Sequence, residues 1–287
     1  MGDLKSKISA VILSYNRCEE LRRTLAHMSA LPERPELIVV DNASTDATAS
    51  MVRKDFPEVR LLISPRNIGG AARNLGVRAA ATPYVAFCDD DSWWHAGSLH
   101  KAVQILDRHP RVAALCARIL LGPDEREDPI CKIMASSPLD SNGLPGKALL
   151  GFVACAAVLR RDAYLEAGGY EERFFVGGEE ALLSLDLAVS GWSVVYIADL
   201  VAHHYPSPQR DRKDRHRIIS RNAIWLAWLR LPLLTSLRET RRMLAYAMRH
   251  KVLLSTLRSA LKEARWVIRN RKVVSPQVHA WYKLLNG

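Results

Sequence analysis

The chain has 287 residues, 48% hydrophobic and 25% charged, with a net charge of +11, which is ordinary chemistry for a globular protein with a sizeable core. No apolar run reaches the roughly 18 to 20 residues that span a bilayer, and the start, Met1 to Lys7, is polar rather than signal-like. The five cysteines (Cys18, Cys88, Cys116, Cys131, Cys155) are scattered without a C-x-x-C pair, which argues for reduced thiols in the cytosol and against a disulfide frame or a zinc site.

The charge is uneven. Residues 207–287 hold 19 Lys+Arg against 4 Asp+Glu, whereas residues 1–206 hold 22 against 26. The basic C-terminal part therefore suits an anionic partner: membrane phospholipid, nucleic acid or an acidic acceptor.

In chain order, Ile8 to Ser14 is a β-branched apolar run and predicts a buried strand, closed by Tyr15-Asn16-Arg17. Glu19 to Ala30 carries Leu21, Leu25 and Met28 at helical spacing. Leu37 to Val40 predicts a second strand ending at Asp41. Asn42 to Asp46 is turn chemistry, and a helix follows over 47–55. Val59 to Ile63 predicts a third strand, Asn67 to Gly70 a turn, and Ala71 to Ala81 an Ala-rich helix. Tyr84 to Cys88 predicts a fourth strand, leading into Asp89-Asp90-Asp91-Ser92-Trp93-Trp94. This β-α alternation, with a period of about 25 residues, is the pattern of a largely parallel sheet covered by helices on both faces.

Ala96 to His109 predicts a helix and Val112 to Leu120 a strand. Gly122 to Lys147 is polar and reads as a long surface excursion. Leu149 to Leu159 predicts one further strand and Arg161 to Ala167 a short helix. Gly177-Gly178-Glu179-Glu180 opens a helix that runs through Ser190. Ser193 to Ile197 is strand-like and precedes Val201 to Pro206. From Gln209 the texture becomes basic and helical, with Trp225, Leu226, Trp228 and Leu229 as its apolar side.

Three consecutive carboxylates repel one another unless a cation sits among them, and hard divalent ions favour oxygen ligands of this kind. In a parallel sheet, ligands bind beyond the carboxyl ends of the strands. Tyr15, Asp41, Asn67 and Asp89 to Asp91 all lie just past strand ends and should converge on one edge. A solvated acidic turn is the competing reading of the triplet alone.

With these pieces in place, the chain resembles the family 2 glycosyltransferases with the GT-A fold. The resemblance rests on Val11 to Arg17, Val39 to Asp46, Asn67 to Gly76, the Asp89–Asp91 triplet, Gly168-Gly169-Tyr170, Phe174-Phe175, Gly178-Glu179-Glu180 and Val201-Ala202-His203. Order and spacing agree over residues 7 to about 207. The resemblance implies an α/β fold, a mixed and mostly parallel Rossmann-like sheet, with a GT-A domain over 1–207. Residues 1–120 would form its nucleotide-sugar half, 121–207 its acceptor half, and 208–287 a basic helical extension.

It also implies inverting transfer of a sugar from a nucleoside diphosphate donor, UDP- or dTDP-type, to a hydroxyl of a glycan, lipid-linked or small-molecule acceptor, assisted by Mn²⁺ or Mg²⁺. Asp91 would hold the metal with Asp89 helping, and Asp90 is open. His203 or His204 would complete the shell, with the Val-x-His pattern favouring His203. Glu180 would be the base, with Glu179 as the other candidate. Ser14, Tyr15, Arg17, Asp41, Asn67, Gly70, Arg73, Asp89 and Asp90 would meet the donor, and Trp93, Trp94 and Gly178 the acceptor. Helix-terminal acids, an Asx-turn at Asp41, glycine turns and tryptophan core packing are the structural alternatives.

The basic extension has three readings: docking on an anionic membrane surface, packing on the catalytic domain as an acceptor lid, or a solvated helix set. The expected setting is cytoplasmic, peripheral at the inner face of the cell membrane, with no nucleic-acid partner. A nucleotidyltransferase is the competing enzyme class, although Tyr15-Asn16-Arg17 is not its Gly-rich phosphate loop. A basic protein binding nucleic acid or membrane without catalysis is the competing non-enzyme.

Overall fold

The computed structural model describes residues 7–206 and 213–286, so the expected boundary at 207/208 falls outside the described residues. The first half follows the sequence pattern closely: β1 (Ile8–Ser14), α1 (Cys18–Ser29), β2 (Glu36–Asp41), α2 (Thr48–Asp55), β3 (Arg60–Ile63), α3 (Arg73–Ala79) and β4 (Tyr84–Asp89). α1 buries Leu21, Thr24, Leu25 and Met28, the three-to-four spacing that lays one helical face on a sheet. A 3₁₀ turn, Gly69–Ala72, starts the helical segment before α3.

Next come β5 (Ser92–Trp94), α4 (Ser98–Arg108), β6 (Val112–Leu121), β7 (Arg126–Glu127), α5 (Pro129–Ala135), β8 (Lys147–Leu149), β9 (Ala157–Arg160), α6 (Arg161–Glu166), α7 (Glu179–Val189) and β10 (Ser193–His204). One mixed sheet results, in the order β3-β2-β1-β4-β9-β6-β10-β5. β3, β2, β1 and β4 are mutually parallel, β9 enters antiparallel between β4 and β6, and β10 runs parallel to β6.

Three local expectations change. Leu149 to Leu159 is not one strand: β8 ends at Leu149, and a buried 3₁₀ turn of small residues, Ala154–Ala156, precedes β9. Small side chains let that turn pack directly against the sheet. The Gly122 to Lys147 excursion contains α5, which starts with Pro129 and is capped by Asp128, whose side chain accepts the Ile130 N–H. β10 continues past a bulge between Ile197 and Val201 as far as His204.

The C-terminal helices are α8 (Lys213–Arg230), α9 (Leu233–Arg249), α10 (Leu253–Lys262), α11 (Ala264–Arg269) and α12 (Pro276–Asn286). They share a second core with the end of the sheet-bearing part of the chain. Phe174, Leu182 and Leu185, from α7 and the loop before it, pack with Trp225, Leu226, Leu229, Val267 and Val278. Trp225 donates its indole N–H to the Ala260 carbonyl at 3.1 Å, and Arg230 pairs with Asp186 of α7 at 2.5 Å. Among the described residues no helix is long and apolar enough to cross a membrane.

Candidate active site

Parallel pairing sets the first part of the site. Ser14 lies opposite Asp41 and Leu13 opposite Asp89, so three strands end side by side. Asp41 is buried, and its Oδ1 accepts the Ser44 N–H, three residues on, at 3.0 Å, which closes the loop after β2. Asn67 Oδ1 accepts from Asn42 Nδ2 and from the Gly69 N–H, both at 2.9 Å. Asn42 Oδ1 in turn accepts the Ile68 N–H at 3.0 Å, so the two asparagines fix the 67–69 loop. Tyr15 is exposed beside this edge.

The acidic triplet forms the turn between β4 and β5. Its repulsion is relieved by protein groups: Arg73 pairs with Asp89, and Arg17 Nη1 lies 3.2 Å from Asp91 Oδ2 and 3.5 Å from Asp90 Oδ1. Burial pushes the Asp90 carboxyl up to about 8; Arg17 opposes this, and Asp91 and Asp89 add to it. Within the chain, the guanidiniums of Arg17 and Arg73 offset part of the triplet's charge. Arg73 is itself buried. Burial is the largest influence and opposes its charge, but Asp89, Tyr170, Glu180 and Glu179 together outweigh it and hold Arg73 above the ordinary arginine range.

β10 pairs antiparallel with β5, setting His203 opposite Trp93 and His204 opposite Ser92. Successive strand residues face opposite sides, so the two imidazoles part. His204 Nε2 lies 3.4 Å from Asp91 Oδ1. His203 turns away: its Nδ1 is 3.2 Å from Glu125 Oε1 and its Nε2 is 3.1 Å from His95 Nδ1. The preference for His203 is corrected by this alternation.

The tryptophans are corrected too. Trp94 is enclosed and donates its indole N–H to the Phe87 carbonyl at 3.2 Å. Trp93 is buried between His27, stacked at 4.1 Å, and Tyr205 at 4.7 Å. Neither ring offers a free face to an acceptor, because β5 is a covered strand and not a loop.

The acidic pair opens α7. Gly178 starts the helix at φ +97°, a left-handed position that suits glycine, so its contribution is backbone shape. Glu179 is buried against Gly70: a Cβ there would lie 2.5 Å from Glu179 Oε1. The Gly70 N–H donates to the Phe175 carbonyl at 2.6 Å, and a Cβ on Gly69 would collide with that same carbonyl. The glycine pair therefore admits the opposite loop, at the position where Gly70 is expected to meet the donor. Glu180 is the more accessible of the two acids. Its carboxyl is raised, chiefly by burial and then by Glu179, with Arg73 opposing. Arg73 thus stands electrostatically between Asp89 and the acidic pair.

The loop before α7 is held from the C-terminal region. Phe175 sits at φ +65°, ψ −62°, with the Val176 N–H bonded to the Phe174 carbonyl at 2.8 Å, a strained γ-turn. Asn222 of α8, buried, donates through Nδ2 to the carbonyls of Phe174, Val176 and Gly177 at 2.8, 3.1 and 2.5 Å. Arg221 Nη2 adds bonds to the Arg173 and Phe174 carbonyls. Sequence reasoning missed Asn222, since nothing local links it to a loop 45 to 48 residues earlier. It missed Asn74 as well, whose side chain holds Tyr164 and Tyr170.

A divalent cation finds a partial fit. Among the described residues no group of three or more His, Cys, Asp or Glu side chains converges as a ready-made metal cage. His204 Nε2, however, is buried without a hydrogen-bond partner and faces Asp91. An imidazole and a carboxylate suit an ion that takes its other ligands from substrate phosphate and water.

Comparison with known proteins follows the same lines. The family model described as Glycosyl transferase family 2 matches residues 9–167. N-acetylglucosaminyl-diphospho-decaprenol L-rhamnosyltransferase of Mycobacterium tuberculosis is 27% identical over 303 residues, covering 90% of this chain and 95% of that protein. An uncharacterized glycosyltransferase of Mycobacterium bovis is 31% identical over 192 residues, 66% of this chain and 82% of its own. In fold, the chain is similar to a mannosyltransferase from Pyrobaculum calidifontis in complex with GDP-Man and Mn²⁺. That match has a TM-score of 0.59 and 19% identity, over 98% of this chain and 86% of the other. It is also similar to S. aureus TarS 1–349 in complex with UDP-GlcNAc (TM-score 0.59, 16% identity, 96% and 91% covered).

Proposed function

Because this chain belongs to glycosyl transferase family 2, we propose that it moves a sugar, with inversion, from a nucleoside diphosphate donor to a hydroxyl of a lipid-linked glycan. The observation that carries this reading is the convergence of Asp89, Arg73 and the Glu179–Glu180 pair on one sheet edge, from elements far apart in sequence. The acceptor class is taken from the mycobacterial relative, whose name specifies a diphospho-decaprenol-linked N-acetylglucosamine.

In this reading the donor lies across the ends of β1, β2 and β4, with Ser14, Tyr15, Arg17, Asp41 and Asn67 along its nucleoside side. Arg73 and Arg17 offer guanidinium donors to anionic oxygens. Asp91 and His204 would hold Mn²⁺ or Mg²⁺, which supplies Lewis-acid stabilisation of the departing diphosphate. Glu180 takes the proton of the attacking hydroxyl. Its greater access, compared with Glu179 under Gly70, supports that choice, and a raised carboxyl pKa suits a base working near neutral pH. The setting is a membrane surface, where a lipid-linked acceptor resides.

Thermal unfolding with a panel of UDP-, dTDP- and GDP-sugars, with and without Mn²⁺, tests the donor, since a ligand that binds only the folded form raises Tm. Turnover is then read as nucleoside diphosphate release with a polyprenyl-diphosphate-linked N-acetylglucosamine. No stabilisation by any nucleotide sugar and no such release would sink the reading. Pyrophosphate release from a nucleoside triphosphate and a sugar phosphate would replace it with a nucleotidyltransferase.

A further inference from the structure

α10 and α11 are separated only by Glu263, and the residues along them differ sharply in burial. The inner face carries Thr256, Ala260, Glu263 and Val267. Thr256 and Val267 are buried, the Ala260 carbonyl accepts the Trp225 indole, and Glu263 pairs with Arg173 at 3.5 Å. Two residues out of phase lie Leu254, Arg258, Leu261, Arg265 and Ile268. Within α10, at about 100° per residue, Leu254, Arg258 and Leu261 fall within an arc of about 60° opposite Thr256 and Ala260, and Arg265 and Ile268 continue the exposed side in α11. The apolar members are 81%, 70% and 71% exposed, and both arginines are exposed as well.

Such a line is unusual for a surface turned only to water. Singly exposed leucines need no explanation, but three spaced at seven-residue intervals along the exposed side of these two helices form a pattern. Around them Lys251, Lys262, Arg269 and Lys272 are exposed, and between residues 251 and 272 the sole acid, Glu263, faces inward toward Arg173. The stripe therefore combines apolar side chains with uncompensated positive charge.

We infer that the outer face of α10 and α11 docks in the plane of an anionic bilayer, with Leu254, Leu261 and Ile268 entering the acyl boundary. Arg258 and Arg265 lie between them on the same exposed side, at the height of lipid phosphates, with their stems covering apolar surface. A second copy of the chain fits poorly, since self-pairing would set Arg258 and Arg265 against like charges. Nucleic acid fits poorly as well, because the leucines would face phosphates and base edges. The inference takes its purpose from the lipid-linked acceptor reading, yet docking itself needs neither donor nor acceptor.

The test is sedimentation of the full chain with extruded vesicles, comparing pure phosphatidylcholine with a 3:1 mixture of phosphatidylcholine and phosphatidylglycerol. Binding is expected to the mixed vesicles only, weakening as salt is raised. The triple variant Leu254→Ser/Leu261→Ser/Ile268→Ser should keep its Tm and lose at least tenfold in partition coefficient. Arg258→Gln/Arg265→Gln, made separately so that a folding defect in one variant is not decisive, should lose roughly fivefold per arginine. Absence of binding to the mixed vesicles overturns the inference, as does wild-type partition of both variants. Concentration-dependent dimerisation lost in the triple variant would overturn it in favour of a second copy. Vesicle binding that survives a complete failure of sugar transfer would separate this surface from the reaction assigned above.

Discussion

The contact most worth breaking is the one between Asn222 and the loop before α7. In Asn222→Ala, the carbonyls of Phe174, Val176 and Gly177 lose the Nδ2 donor. Phe174 retains Arg221 Nη2 at 2.9 Å, and water can reach the exposed Val176, so the main loss falls on the Gly177 carbonyl. One partly desolvated acceptor left unpaired costs about 1–3 kcal/mol. For a chain of this length that lowers Tm by roughly 2 °C per kcal/mol, or about 2 to 6 °C. The kinetic effect should be larger. The freed γ-turn at Phe175 can relax, carrying Gly178 and the first turn of α7 with it, and a shift of about 1 Å at a reacting group costs on the order of 10²-fold. Stopped assays of nucleoside diphosphate release should show kcat falling about 10- to 100-fold while donor affinity, read by thermal shift, stays within about twofold. Asn222→Asp, equal in size but without the N–H donors, should be at least as impaired. If Tm falls as expected and kcat does not, the clamp keeps the loop folded without placing the acidic pair.

Asp91→Ala should abolish the Mn²⁺-dependent part of the Tm rise given by a nucleotide sugar, and turnover with it. Glu180→Gln should preserve donor binding and lower transfer by about 10²- to 10⁴-fold, the usual worth of a general base; undiminished transfer would move the base to Glu179. The raised Glu180 carboxyl also gives a pH signature: kcat/KM should climb with pH above the ordinary glutamate range, as the free carboxylate forms. For stability the sign is opposite. The folded chain binds the Glu180 proton more tightly than the unfolded chain, so stability falls as pH rises from the ordinary glutamate pKa through the raised one, and Glu180→Gln should flatten that slope. Gly69→Ala meets both a left-handed backbone (φ +63°) and the Phe175 carbonyl, so it should lose about 3 kcal/mol or more in denaturant unfolding.

The sheet and its loaded edge were legible because they rest on local signals. Strand-length apolar runs ending in Tyr15, Asp41, Asn67 and Asp89 sufficient for a β-α order also fix which ends point the same way. The choice between His203 and His204 was legible in principle, since a strand continuing through Val201-Ala202 must turn adjacent residues to opposite faces. It was obscured because the bulge at Ile197 to Val201 breaks the apolar run. The burial of Trp93 and Trp94 depends on β10 returning 108 to 112 residues later to cover β5, and no local pattern carries that information. The same holds for Gly69 and Gly70, whose partner is the Phe175–Glu179 segment, and for Asn222. Antiparallel β9 was hidden inside a continuous apolar stretch in which only the small residues Ala154 to Ala156 mark the turn.

The grip of Asn222 and Arg221 on that loop touches main-chain oxygens alone. Such a hold is indifferent to which side chains the loop displays. Phe175 and Val176 are 39% and 47% exposed, separated from the acidic pair only by Gly177 and Gly178. The loop therefore divides its duties: the backbone is committed to aiming α7, and the two side chains are left open to variation. Residues 175 and 176 can therefore be exchanged without disturbing the main-chain bonds that aim α7. The helical C-terminal region, basic and distant in sequence, is in this sense what leaves these two positions free to vary.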